Sequence, residues 1–237
     1  MLTRAVRQSG LGEDKNSARR PPFFGIPRIM STIEDRYLGR LHQLISDGRR
    51  QILGLVGAPG AGKSTLAQAI LDAFPGKAAV VPMDGFHLAN VELARLGRAS
   101  RKGAEDTFDS AGYVALLRRL REQRHDETIY APTFRREIEE PIAGAIPVAP
   151  DIPLVITEGN YLLLEHGHWK AARPLLDEVW YVNVDSDLRR QRLVSRHIGF
   201  GRDQAAAEQW VQKTDEVNAT SIDLTRERAD VQFHWPS

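Results

Sequence analysis

The residues Gly57-Ala58-Pro59-Gly60-Ala61-Gly62-Lys63-Ser64, followed by Thr65, fulfil the spacing Gly-x-x-x-x-Gly-Lys-[Ser/Thr]. Residue types in this order hold a polyphosphate. Gly57, Gly60 and Gly62 let the backbone N–H groups of the loop, those of Ala58, Ala61 and Thr65 among them, turn toward the anion without a Cβ in the way. A helix that opens at Lys63 presents its positive dipole end to the same charge. Lys63 is placed to reach the β- and γ-phosphates and the Ser64 hydroxyl to ligate Mg2+, which makes ATP and Mg2+ the expected cofactors.

Binding alone is not chemistry, and three further groups could supply it. Asp84 closes an apolar run and precedes Gly85, so a carboxylate there can take the proton of a hydroxyl that attacks the γ-phosphorus; the plainer role of such an aspartate is a cap or turn former. Glu158 ends another apolar run, where it can hold Mg2+ through water, assist the base or pair with Lys63, and Asn160 and Tyr161 next to it are expected to line the substrate side. Arg192 and Arg196 lie four residues apart, hence on one helix face with Arg189 nearby, and a hinged arginine helix suits closure over a triphosphate. In isolation the same arginines would be a solvated basic face. His87 can hydrogen-bond a substrate or simply face solvent.

These side chains need a scaffold. Ile52, Leu53, Leu55 and Val56 read as a buried strand ahead of the loop, and Leu66, Ala67, Ala69, Ile70 and Phe74 as the helix after it, stopped by Pro75-Gly76. Strands are also expected at 78–83, 154–157, 179–184 and, at an edge, 231–235. A helix is expected over 33–45 with Ser31 or Thr32 as cap, another over 113–121, and the arginine helix after Asp185. Strands alternating with helices, with polar groups at the strands' C-terminal ends, predict a parallel α/β sheet with its crevice along those ends. Residues 90–153 are less regular and read as an inserted substrate lobe, and 186–218 as a lid.

Composition narrows the classes. The chain has 237 residues and is 42% hydrophobic, enough for one substantial core. It has no cysteine, which excludes a thiol nucleophile, a zinc-thiolate site and a disulfide framework. Lys+Arg 32 against Asp+Glu 31 leaves +1, without the basic field of a nucleic-acid binder. No run reaches membrane-span length and no secretory signal opens the chain, so a cytoplasmic protein without membrane partners is expected. Residues 1–30, basic and rich in Gly, Ser and Pro, read as a disordered extension, a basic arm, or sequence ahead of a start at Met30. Oligomeric state leaves no mark, and a homodimer is compatible with all of this.

Met83-Asp84-Gly85-Phe86-His87, Arg101-Lys102-Gly103 with Thr107-Phe108-Asp109, Glu158-Gly159-Asn160-Tyr161 and the Arg192 to His197 segment together resemble the P-loop kinase family of pantothenate kinase, uridine kinase and phosphoribulokinase, most of all its bacterial fructose-transport-system kinases. The resemblance runs from Ile33 to the C-terminus. It implies the P-loop NTPase three-layer fold and transfer of the ATP γ-phosphate to a hydroxyl of a small metabolite such as a sugar, a nucleoside or a pantothenate-like compound. It also implies Asp84 as catalytic base, with Phe86, His87, Arg101 and Tyr161 near the acceptor. One segment departs: relatives tend to carry an aspartate after the aromatic of Pro-x-Tyr/Phe-Asp, and here stands Pro132-Thr133-Phe134-Arg135-Arg136. An acceptor bearing a phosphate would call for basic groups such as Arg101, Lys102, Arg135 and Arg136. A regulatory NTPase is the alternative, with no Asn-Lys-x-Asp guanine signature in its favour.

Overall fold

The computed structural model describes residues 33–236; the expectations for residues 1–30, and for Ser31 or Thr32 as a cap, lie outside the described residues. Strand β1 (Gln51–Val56) is the centre of the molecule because both of its faces are apolar: Ile52 and Val56 point to one side, Leu53 and Leu55 to the other, and all four are fully buried. A strand covered on both faces must sit inside a parallel sheet flanked by helices. The sheet runs β2 (Ala78–Pro82), β5 (Leu154–Glu158), β1, β6 (Glu178–Asn183), β7 (Val231–His234), every neighbouring pair parallel. It is the expected α/β architecture in three layers.

One layer is α1 (Asp35–Leu44) with α2 (Lys63–Ala73), whose Tyr37, Leu41, Leu66 and Ile70 cover Leu53, Leu55, Ile156 and Trp180. The opposite layer is built on α4 (Ser110–Arg121) and the stretch around Trp169 and Leu176. At about 25 cal/mol per Å² of apolar surface removed from water, such double coverage dominates the stability of the sheet. A buried polar thread crosses it: the Tyr113 hydroxyl bonds Thr157 Oγ1 at 2.7 Å, and Thr157 Oγ1 donates to the Val81 carbonyl at 2.7 Å. Fully buried hydroxyls of this kind persist because each is paired.

Between β2 and β5 the chain adds a short helix α3 (Asn90–Arg95), α4, and an antiparallel hairpin of β3 (Ile129–Arg135) and β4 (Glu140–Val148). The hairpin was unforeseen because Pro132, Pro141 and Pro147 interrupt its alternation. A register shift between Ala131 and Thr133 takes up Pro132, while Pro141 and Pro147 stay in register on a two-stranded ladder in which every strand is an edge. Beyond β6 come α5 (Ser186–Gly199), α6 (Gln204–Trp210), one π-helical turn (Val211–Asp215) and α7 (Glu216–Asp223). No described helix is long and apolar enough to cross a membrane.

Candidate active site

The loop between β1 and α2 lies at the C-terminal edge of the sheet, where β1, β2 and β5 all end. Gly60 has φ 81°, and a Cβ there would meet the Leu193 side chain at 2.9 Å and the Arg189 carbonyl at 3.2 Å. Glycine is required on both counts, and α5 therefore rests directly on the loop. Ala61 donates its N–H to the Ala58 carbonyl at 3.0 Å, and Gly62 is the left-handed residue from which α2 starts, with the Leu66 N–H on its carbonyl. Thr65 follows on the exposed side of the first helical turn.

Lys63 is buried and folds back over the loop. Its Nζ donates to the Gly57 carbonyl (2.8 Å), the Ala58 carbonyl (3.2 Å) and Asn160 Oδ1 (2.7 Å). Burial pushes its pKa from 10.5 down to about 8, against the opposing pull of Glu158 and Asp84. Ser64 donates its hydroxyl to Glu158 Oε1 at 2.8 Å. Glu158 is itself buried, and burial, then the nearby Asp84 charge, raises its pKa above the usual carboxylate value while Lys63 and Ser64 oppose the rise. The hydroxyl and carboxylate so placed fit Mg2+, which favours one or two protein oxygens plus phosphates and water. No cluster of three or more His, Cys, Asp or Glu that could hold a metal ion occurs among the described residues.

Asp84 sits not on β2 but in a single 3₁₀ turn, Met83–Phe86, that follows it. Gly85 is what lets this turn lie flat under the hairpin, since a Cβ there would collide with the Pro132 carbonyl. Asp84 Oδ2 accepts from Arg136 Nη2 at 3.1 Å. Beside it His87 binds the Asp84 carbonyl through Nδ1 (2.8 Å) and packs its ring on Phe108 (4.0 Å) and Phe134 (4.5 Å). Burial lowers its pKa, so the ring is neutral and serves as an aromatic surface. Phe86 faces inward against Tyr113, with ring centroids 5.4 Å apart.

The arginine helix separates the two residues expected to act together. Asp185 caps α5 by accepting from the N–H groups of Asp187 and Leu188. Arg196 lies close enough to Arg136, Asp215, Asp84 and Glu158 to feel their charges, and burial lowers its pKa. Arg192 is exposed and lines a different cleft, of about 510 Å³, with Asn183, Leu188, His234 and Trp235. Four residues keep a face but advance about 6 Å along the axis, enough to assign the two to different ends of the site. Arg189, nearest the loop, is buried and gives Nη2 to Glu216 Oε1 at 2.6 Å.

The substrate-side expectations divide in the same way. Tyr161 is buried and donates its hydroxyl to the Gly103 carbonyl at 2.5 Å. Arg101 pairs with Asp106 at 2.5 Å and lines a cleft of about 680 Å³ together with Tyr161, His166 and Asn218. Arg136 joins Asp84. Asn160, expected with Tyr161 on the substrate side, is instead the side chain that holds Lys63. Trp235, read as the end of an edge strand, lies with Nε1 3.2 Å from where a Gly62 Cβ would be. Asp215, which accepts from His197 at 2.8 Å beside Arg196, carries no signal in the sequence at all.

No protein-family model matches the chain. It is 39% identical over 162 residues to the ATP-dependent kinase-like protein notR' of Aspergillus versicolor, covering 65% of this chain and 93% of that one. It is 33% identical over 209 residues to a Schizosaccharomyces pombe protein named "Putative uridine kinase C227.14", covering 83% and 88%. Among solved structures, the "putative fructose transport system kinase" of Silicibacter sp. TM1040 superposes with a TM-score of 0.71 at 36% identity, over 84% of this chain and 98% of that one.

Proposed function

The chain belongs to the P-loop kinase family that takes in uridine-kinase-like and fructose-transport-system-kinase-like proteins, and on that premise we propose how this particular site carries out its transfer. It is an ATP-dependent kinase whose acceptor is a hydroxyl of a small metabolite. The observation that carries the assignment of roles is the convergence of Lys63, Ser64, Glu158 and Asp84 at one strand edge, with Lys63 held by two loop carbonyls and Asn160.

In this reading Lys63 leaves those carbonyls for the β- and γ-phosphates, an exchange favoured because a buried ammonium gains a full charge partner. Ser64 and Glu158 would hold Mg2+, which when bound would draw charge off the phosphoryl oxygens. Asp84 accepts the proton of the acceptor hydroxyl as its oxygen bonds to the γ-phosphorus, and the bond from that phosphorus to the β-γ bridging oxygen breaks, releasing ADP. Arg196 neutralises charge on the transferring group from the α5 side, and α5 to α7 act as the lid that keeps water out. The cleft of Arg192 and Trp235 lies on the nucleotide side of the loop and the aromatic surface of His87, Phe108 and Phe134 on the acceptor side. The segment 90–153 then acts as the acceptor lobe.

A screen that couples ADP release to product mass tests this. Purified protein with ATP and Mg2+ is offered sugars, nucleosides, hydroxy acids and pantothenate, and one acceptor gaining the mass of a phosphoryl group is the expected result. ADP release that no acceptor stimulates, with no phosphorylated product, would instead mark a regulatory NTPase.

A further inference from the structure

The ion pair between Arg136 and Asp84 is out of place in a site whose base must be reached by a hydroxyl. The guanidinium occupies one of the two carboxylate oxygens at 3.1 Å. Both side chains are only partly covered, at 42% and 30% exposure, so the pair gains little from being made and can be exchanged by an incoming group. Arg136 is carried on the turn that joins β3 to β4. That turn is fixed from outside: Lys102 Nζ donates to Asn90 Oδ1 at 2.7 Å and to the Glu139 carbonyl, and the Asn90 N–H donates to Glu140 at 3.1 Å. Lys102 therefore braces the turn and is not available to a ligand.

Of the four basic residues that could meet an anionic acceptor, the fold leaves one in position. Arg101 lines the other cleft, where it pairs with Asp106; its place, not the strength of that exposed pair, keeps it from Asp84. Arg135 points along the exposed rim to Glu137 at 3.4 Å. Of the four, Arg136 is the one that pairs with the base, reaching it from the hairpin turn. Its planar fork matches a carboxylate or a phosphate and has no comparable use for a neutral hydroxyl.

We propose, resting on the kinase reading above, that the acceptor is a short hydroxy compound bearing one carboxylate or phosphate, and that its anion draws Arg136 away from Asp84 and so frees the base. In the paired state Arg136 Nη2 and Asp84 Oδ2 stand 3.1 Å apart, so a hydroxyl and an anionic oxygen that each make one hydrogen bond to them lie no more than about 9 Å from each other before Arg136 shifts, a reach that a chain of about six carbons or fewer spans. Water and neutral alcohols offer the guanidinium no charge in exchange for Asp84, so an anion-bearing acceptor is the one that shifts the pair. Arg136 is thus the residue that selects the acceptor.

The test uses matched probes: glycerol, glycerate and glycerol 3-phosphate, then fructose, gluconate and fructose 6-phosphate, the members of each set differing in the anion. Each is titrated calorimetrically into full-length protein loaded with Mg2+ and a non-hydrolysable ATP analogue, and each is assayed for ADP release with ATP. At least one charged member should bind ten times more tightly or more than its neutral counterpart. Arg136→Ala should reduce that preference to within about twofold while leaving the affinity for the ATP analogue unchanged, and Arg136→Lys should restore part of it. Carboxylate against phosphate within a set tells the two anion sources apart. Wild-type protein that binds no charged member, or that binds neutral and charged members alike, overturns the proposal, as does an anion preference that survives in Arg136→Ala. Turnover without charge preference would sink this proposal and leave the kinase reading intact. Arg136-dependent anion binding without any turnover would do the reverse.

Discussion

Lys63 titrates in a range where its nucleotide affinity can be followed. Burial holds the ammonium at a pKa of about 8 against an ordinary 10.5, a difference of about 3 kcal/mol between the buried and the solvated charge. In the folded protein without nucleotide, the proton is mostly present at pH 7 and mostly gone at pH 9. The unfolded chain keeps it up to 10.5, so between pH 8 and 10.5 this lysine's share of stability rises with pH. Nucleotide affinity runs the other way. The triphosphate stabilises the ammonium, so binding above pH 8 takes up a proton and weakens as protons become scarce. The ratio of total to protonated lysine grows from about 1.1 at pH 7 to about 11 at pH 9, giving an expected tenfold rise in Kd. Calorimetric titration of a non-hydrolysable ATP analogue at pH 7, 8 and 9 with saturating Mg2+ measures it. Lys63→Arg, whose guanidinium stays charged, should bind with a Kd that is flat across the same range. A flat wild-type profile, or an equal slope in Lys63→Arg, would refute the assignment of the buried ammonium to the phosphates.

Gly85→Ala places a Cβ against the Pro132 carbonyl, which cannot move without shifting β3, so kcat should fall at least about tenfold with ATP affinity kept; steady-state kinetics beside calorimetry decide it. Thr157→Val leaves the Tyr113 hydroxyl and the Val81 carbonyl unpaired in the core and should cost about 1–3 kcal/mol in urea unfolding with an unchanged m-value. Tyr113→Phe, which leaves the Thr157 bond to Val81 in place, should cost about 1 kcal/mol, and equal costs for the two would contradict the thread.

Sequence order carried the parts of this site whose chemistry is local. The phosphate loop is a run of adjacent residues, and Gly60 and Gly62 are needed for conformations that other residues rarely adopt, so its spacing alone located it. The strands were legible because double burial makes them continuously apolar, as in Leu154-Val155-Ile156. What escaped is set by contacts between distant residues. Asn160 reaches Lys63 across 97 positions and Arg136 reaches Asp84 across 52, pairings that no periodicity encodes. The β3–β4 hairpin was hidden by its prolines, and Arg136 owes its place at the base to that hairpin. Arg192 and Arg196 share a helix face, but their spacing says nothing of which neighbours the step of about 6 Å between them meets, Trp235 for one and Asp84 for the other.

The central claim is that Asp84 activates the acceptor while the loop only holds ATP. Asp84→Asn keeps the side chain's shape and its ability to accept from Arg136 but cannot take a proton at neutral pH. Single-turnover transfer of the γ-phosphoryl group to the acceptor found in the screen, measured beside calorimetric affinity for the ATP analogue, separates the two functions. The predicted result is transfer slowed by about 10²–10⁴ with Kd within twofold of wild type. Transfer at near wild-type rate in Asp84→Asn would contradict it.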